Sequence, residues 1–439
     1  MKRPTQKEFL RLAVPNVLTN LTVPLAGLID MALLGHLEDV SPLAGVALAS
    51  LIFDYTYWTL GFLRMGTTGL TANAYGARDR EASAGVFVRS AFIALLIGLA
   101  ILVLQKPLGD LSFLMLSGEA AVEHQGRLYF DMRIWAAPAT LGGYVIVGWM
   151  LGMQRARAAL LYSTVLNGLN IVMDYIFIYK WGMGAAGAGL ATMVASYGAL
   201  LVGLGLMLRF WEDHPKPRLS WLAERDKLME LMQLQRDIFI RTLCMITTFF
   251  LFTNLSATFG QVVLAANTIL FRVLNTAAYF IDGFAYALES LAGRFQGSND
   301  PRGVRRSLLL SLYWNIGVVV VFIQLFWFAD REILSWLTHH VPVIEAAQRY
   351  MPYVSLCLLM SGFAYIYDGF FIGLTRGRIL RNSMLVSIAG FAPFALYSYL
   401  TQNQEALWWG MTAFMGLRAL TLALASRPYM SAGLEPARS

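Results

Sequence analysis

The chain has 439 residues, 57% of them hydrophobic and 14% charged, with a net charge of +7 and a mean hydropathy of +0.56. A soluble domain carries about 25% charged residues, so the composition excludes an ordinary soluble enzyme and points to a polytopic membrane protein. The basic residues are scattered through short loops instead of gathering on one face, which argues against nucleic acid as a partner.

Windows of about 20 apolar residues predict helices that cross a membrane. Twelve such spans are expected, at 10–34, 42–74, 84–105, 128–152, 158–179, 184–208, 237–258, 262–293, 307–328, 350–373, 383–400 and 406–426. The first follows a basic N-terminus, is long, and lacks a small-residue cleavage site, so it reads as a retained span. Cys244 and Cys357 both fall in apolar runs and read as reduced packing residues without a disulfide or metal spacing.

Charge fixes the orientation. One set of loops, including both termini, 76–83, 153–157, 209–236, 294–306 and 376–381, holds about 23 Lys and Arg, the opposite set about 5, and the positive side is cytoplasmic. The opposite loops carry Glu38, Asp39, Glu119, Glu123, Asp330 and Glu332. Both termini are therefore expected on the cytoplasmic side.

The longest cytoplasmic connection divides the chain into an N-terminal six-helix half (1–208), a linker (209–236) and a C-terminal six-helix half (237–439). The halves carry a weak repeat. Thr71-Ala-Asn-Ala-Tyr-Gly76-Ala-Arg-Asp79 answers Ala292-Gly-Arg-Phe-Gln-Gly297-Ser-Asn-Asp300, and Gly152-Met-Gln-Arg155-Ala-Arg157 answers Gly373-Leu-Thr-Arg376-Gly-Arg378. The interval from Gly76 to Gly297 is the same as that from Gly152 to Gly373. An even number of spans per half keeps the halves in one orientation, with a pseudo-symmetry axis along the membrane normal.

Ionisable residues inside spans are costly and mark functional sites by default. Asp30 stands in a run almost free of charge, six residues after Pro24 and three after Gly27, where the helix ladder is easily bent. Asp174 is expected at nearly the same depth on the fifth span. Asn170 shares its helix face, Asn167 adds an amide one turn further in, and Thr192 reaches a comparable depth on the sixth span. Two carboxylates gathered in low dielectric tend to share a proton. The same oxygens, Asp30, Asp174, Asn170 and Thr192, also suit a sodium ion. At the interval of the repeat Asp30 maps near Leu251 and Asp174 near Ala395, so the second half has no copy of the pair.

The second half has its own acids. Asp282 and Glu289 are seven apart on one helix face, and Asp368 lies near the inner end of the tenth span. Arg241 and Arg272 are candidate partners. A structural ion-pair network is the leading reading there, with a substrate or second cation site beside it. No Walker A, His-Glu-x-x-His or Gly-x-Ser-x-Gly motif occurs, so neither ATP hydrolysis nor a hydrolase is indicated. No cofactor or resident metal is expected.

The chain resembles the multidrug and toxic compound extrusion (MATE) family, within it the DinF branch. The resemblance rests on Val23-Pro24-Leu-Ala-Gly27-Leu-Ile-Asp30 with Gly35-His36-Leu37, on Leu63-Arg64-Met65-Gly66-Thr67-Thr68-Gly69-Leu70-Thr71-Ala72, and on Asn167-Gly-Leu-Asn170-Ile-Val-Met-Asp174. Arg236-Asp237-Ile238, the run Asp282 to Glu289, and Asp368-Gly369 add to it. It implies an all-α fold of two six-helix lobes forming a V. It implies alternating access and export of drug-like organic, chiefly cationic, compounds against protons or sodium. The positions that match the branch's coupling site are Asp30, Asn170, Asp174 and Thr192, with the first helix bending at Pro24. A lipid-linked precursor flippase is the other activity within the superfamily, but it would call for a cationic cavity. Expected partners are small organic molecules and membrane lipids, and the chain is expected to act as a monomer.

Overall fold

The computed structural model describes residues 4–116, 119–212 and 214–431. Residues 1–3 and 432–439, the outermost parts of the termini assigned above to the cytoplasmic side, lie outside the described residues. All regular elements among the described residues are helical. In chain order they are α1 (Gln6–Gly35), α2 (Ser41–Thr59), α3 (Phe62–Gly76), α4 (Arg80–Val103), α5 (Gln105–Met115), α6 (Ala120–Arg133), α7 (Ala137–Gly152), α8 (Ala156–Asp174) and α9 (Gly184–Phe210). Then follow α10 (Arg225–Thr258), α11 (Gln261–Gly297), α12 (Pro301–Phe328), α13 (Asp330–Leu337), α14 (Val341–Gly373), α15 (Gly377–Thr401) and α16 (Gln404–Ser431).

Twelve stretches among the described residues are long and apolar enough to cross a membrane, and they fall on the expected spans. The chain is thus an all-α, multi-pass membrane protein. Helix ends differ from the sequence reading. α6, α10 and α14 begin about two turns or more earlier than the apolar windows do. Hydropathy senses the bilayer slab, whereas a helix continues into water on its own pairs, as Arg127 and Glu123 do at 3.0 Å on α6. Two spans are each built of two helices. The second is α2 and α3, and the fourth is α6 and α7 joined by a 3-10 turn over Ile134–Ala136.

The chain folds as two compact units, one of Leu18–Met232, the other of the residues up to Val17 together with Gln233 onward. α1 and α10 are each divided between the units. In the first unit α3 packs on α7, α2 and α9 on α6, and α8 on α9. In the other, α11 packs on α14 and α12, and α16 on α14 and α15.

The repeat is physical as well as sequential. In the first unit a Cβ on Gly148 of α7 would stand 2.6 Å from the Arg64 carbonyl of α3. In the second, a Cβ on Gly369 of α14 would stand 2.5 Å from the Ala285 carbonyl of α11. Gly148 corresponds to Gly369, and Arg64 to Ala285, at the interval already set by Gly152 and Gly373. Only glycine allows two helices this close, the usual device where lipid supplies no hydrophobic drive between them. The caps repeat too. Asp79 accepts from the Ala82 amide at the start of α4, and Asp300 from the Gly303 amide at the start of α12.

The linker is folded onto the first unit. Arg89 of α4, almost wholly buried, donates through Nε to the Trp221 carbonyl at 3.0 Å and through Nη2 to Glu224 at 2.9 Å. Trp211 stacks on Trp149 with centroids 5.7 Å apart. Residues 225–236, expected within the linker, are instead the first turns of α10.

Candidate functional site

Asp174 ends α8 in full burial, at 0% exposure. Asn170, one turn earlier, donates from Nδ2 to Asp174 Oδ2 at 2.8 Å. Immediately after Asp174 the helix widens into a π turn over Tyr175–Lys180, closed by the Trp181 amide on the Ile176 carbonyl at 2.9 Å. Wide turns of this kind are rare and cluster at functional sites. Nothing in the apolar periodicity announces this one.

α1 brings Asp30 to the same place. The carboxyls of Asp30 and Asp174 lie within hydrogen-bonding reach of one another. Yet Oδ1 of each is buried and receives no hydrogen bond. Two ionised carboxylates are both acceptors and cannot satisfy each other. A single proton between them supplies the missing donor, and two negative charges held together in a low dielectric favour that arrangement.

The polar neighbours expected from the sequence separate by role. Asn167 donates to Thr22 Oγ1 at 2.7 Å and so ties α8 to α1. Thr192 donates back to the Ala188 carbonyl of its own helix, α9, at 3.1 Å. Its hydroxyl proton is thus engaged away from the carboxylates. Pro24 and Gly27 lie within an unbroken α1. A Cβ on Gly27 would meet nothing within 4 Å, so packing does not demand the glycine.

One charged residue of this centre, Arg133, was not expected to take part. It is the last residue of α6, at the 3-10 turn, where the helix end favours a cation. A Cβ on Gly189 of α9 would stand 2.5 Å from the Tyr129 carbonyl and 3.1 Å from the Arg133 amide, so glycine there lets α9 press against this turn. The Arg133 guanidinium lies 4.6 Å from the Phe53 ring centre and 5.4 Å from that of Tyr129. It also donates to the Tyr129 hydroxyl, which accepts from Ser50 at 3.3 Å. Asp30, Asp174 and Asp54 all lie in its electrostatic field. Depth counting along separate spans could not reveal that α6 turns at this point.

The other unit contains a centre of opposite balance. Asp368, buried on α14, accepts from both Arg241 of α10 and Arg418 of α16. Arg418 is fully buried, with its guanidinium 5.1 Å from the Tyr365 ring centre. Arg418 was not anticipated as a partner. Asp282 and Glu289 lie on α11, Asp282 half-buried and Glu289 buried, on a different helix from all three members of this Arg–Asp–Arg group.

The MatE family pattern matches residues 15–176 and again 238–397, and the two copies end at the interval of the repeat. The chain belongs to the MatE family. Among curated MatE relatives, DNA damage-inducible protein F of Escherichia coli K12 is 36% identical over 95% of this chain and 91% of its own length. The probable multidrug resistance protein NorM of Thermotoga maritima is 26% identical over 72% of this chain and 69% of its own. Among solved structures, the outward-facing conformation of a multidrug resistance MATE family transporter superposes with a TM-score of 0.88. It is 21% identical and covers 98% of this chain and 97% of that one, which establishes a common MatE fold.

Proposed function

We propose that this protein is a secondary transporter that exports organic cations from the cytoplasm in exchange for protons carried by Asp30 and Asp174. The observation that carries the reading is the pair itself, two facing carboxyls with an undonated oxygen each. A proton arriving from outside gives the pair its hydrogen bond and draws α1 toward α8. Loss of that proton to the cytoplasm leaves two charges in low dielectric, which separate. Pro24 and Gly27 let α1 yield near that point. The protein sits in a bacterial cytoplasmic membrane as a monomer with both termini inside, and its two six-helix halves alternate access.

Asp368 is a poor second coupling group, because two arginines already hold its charge. It serves the packing of its own unit. Asp282 and Glu289 on α11 stay candidates for meeting a cationic substrate.

The test is transport of tetraphenylphosphonium in proteoliposomes under one gradient at a time. A pH gradient with sodium equal on both sides should drive transport. A sodium gradient at clamped pH should not. Transport under sodium alone would transfer the site to sodium, and transport under neither would reject antiport.

A further inference from the structure

We propose that Arg133 is the resident counter-cation of the Asp30–Asp174 pair, so that the buried centre is neutral with one proton aboard. This rests on the coupling site argued above and goes beyond it by naming what sets the proton count.

Geometry supplies the first argument. Arg133 is held on aromatic faces and on the Tyr129 hydroxyl, while its Nε is buried with no acceptor among the described residues. Asp30 Oδ1 and Asp174 Oδ1 are buried with no donor. An undonated acceptor pair and an unaccepted donor thus share one polar centre, a costly state unless the groups exchange partners during the cycle. The aromatic seat retains the cation by its ring faces while the pair holds a proton. When the proton leaves, the guanidinium has two carboxylates to turn to.

The internal repeat supplies an independent argument. At the interval that relates Gly152 to Gly373, Arg133 corresponds to Val354, Asp174 to Ala395, Asp54 to Asn275, and Asp30 to the neighbourhood of Leu251. Tyr129 corresponds to Tyr350. The scaffold and its tyrosine are kept in both halves, but the cation and the acids are present together or absent together. A buried arginine retained only for packing need not follow the acids.

Charge counting gives the consequence. Two buried carboxylates and one guanidinium are neutral with a single proton. The groups facing Arg133 are Asp30 from α1, Asp54 and Tyr57 from α2, Tyr129 on its own helix and Asp174 from α8, with Tyr197 of α9 near Tyr57. Asp54 has an exposed side chain on α2, so it stands outside the buried count.

The experiment is proton release on binding tetraphenylphosphonium to the purified full chain, followed with a pH indicator in weak buffer from acid to alkaline pH. Wild type should show a bell-shaped release with its midpoint set by the pair. Arg133→Gln should move that midpoint up by about one pH unit or more, because the carboxylates lose their neighbouring cation. Arg133→Lys should restore most of the shift. Tyr129→Phe, which keeps the charge but loosens its seat, should move the midpoint down, and Asp54→Asn should leave it in place. An unmoved midpoint in Arg133→Gln overturns the inference, as does an unmoved one in Tyr129→Phe should Arg133→Gln not fold. A downward shift in Asp54→Asn as large as the upward shift in Arg133→Gln would assign the cation to Asp54 instead. If Asp30→Asn and Asp174→Asn still release protons like wild type, the coupling site itself is wrong, whatever Arg133 does.

Discussion

Asn170 donates to one oxygen of Asp174 at 2.8 Å, and the other oxygen of that buried carboxylate has no donor among the described residues. The amide holds Asp174 in a fixed rotamer against Asp30 and leaves one lone-pair site open. That open site is where a proton can come and go without disturbing the helix that presents it.

Asn170→Ala removes this hold. A hydrogen bond to a charged group contributes about 2 kcal/mol, so pH-driven transport at neutral pH should fall roughly tenfold or more. Asn170→Gln, with the amide one methylene further out, should recover little. Initial rates in proteoliposomes check this, and an unchanged rate in Asn170→Ala would remove the amide from the site.

The Arg–Asp–Arg group of the other unit should behave as a structural centre. Asp368→Ala leaves two arginines buried without their carboxylate, which should destabilise the protein by about 3–5 kcal/mol. The triple change Asp368→Leu, Arg241→Met and Arg418→Met should recover most of that loss. Thermal melting of the detergent-solubilised protein reads both. Whatever Asp368→Ala protein survives should keep the wild-type pH dependence of transport.

The linker clasp should open in acid. The Lys227 ammonium and the Arg89 guanidinium hold the Glu224 carboxyl below the ordinary carboxylate range. A group whose folded-state value is depressed stabilises at neutral pH, and the contribution is lost as pH falls through that value. Protection factors for hydrogen exchange across 219–228 should therefore stay high at neutral pH and fall once pH drops below about 4. Glu224→Gln should exchange faster at neutral pH and lose this acid step.

The spans and the repeat were legible because both follow from simple regularities. Apolar length locates a helix in lipid, and one constant interval relates Gly152 to Gly373 and the capping Asp79 to Asp300. Asp30, Asn170 and Asp174 were legible because a charge in an apolar run must have a purpose. The π turn after Asp174, the break at Ile134–Ala136 and the aromatic seat of Arg133 were not legible. They arise where α6, α8 and α9 meet, and no periodicity within one helix encodes a neighbour's backbone. Thr192 shows what depth leaves out, since its hydroxyl proton goes to its own helix while the oxygen keeps its lone pairs.

The most direct test of the central claim is pH-gradient-driven tetraphenylphosphonium transport by Asp30→Asn and Asp174→Asn beside wild type, at equal incorporation in proteoliposomes. Either neutral amide keeps the size of the side chain and can donate to the remaining carboxylate, so the pair no longer needs a shared proton. The account predicts that both variants still bind the cation but no longer transport it in response to pH, with rates at the level of empty vesicles. Wild-type rates in either variant would contradict it.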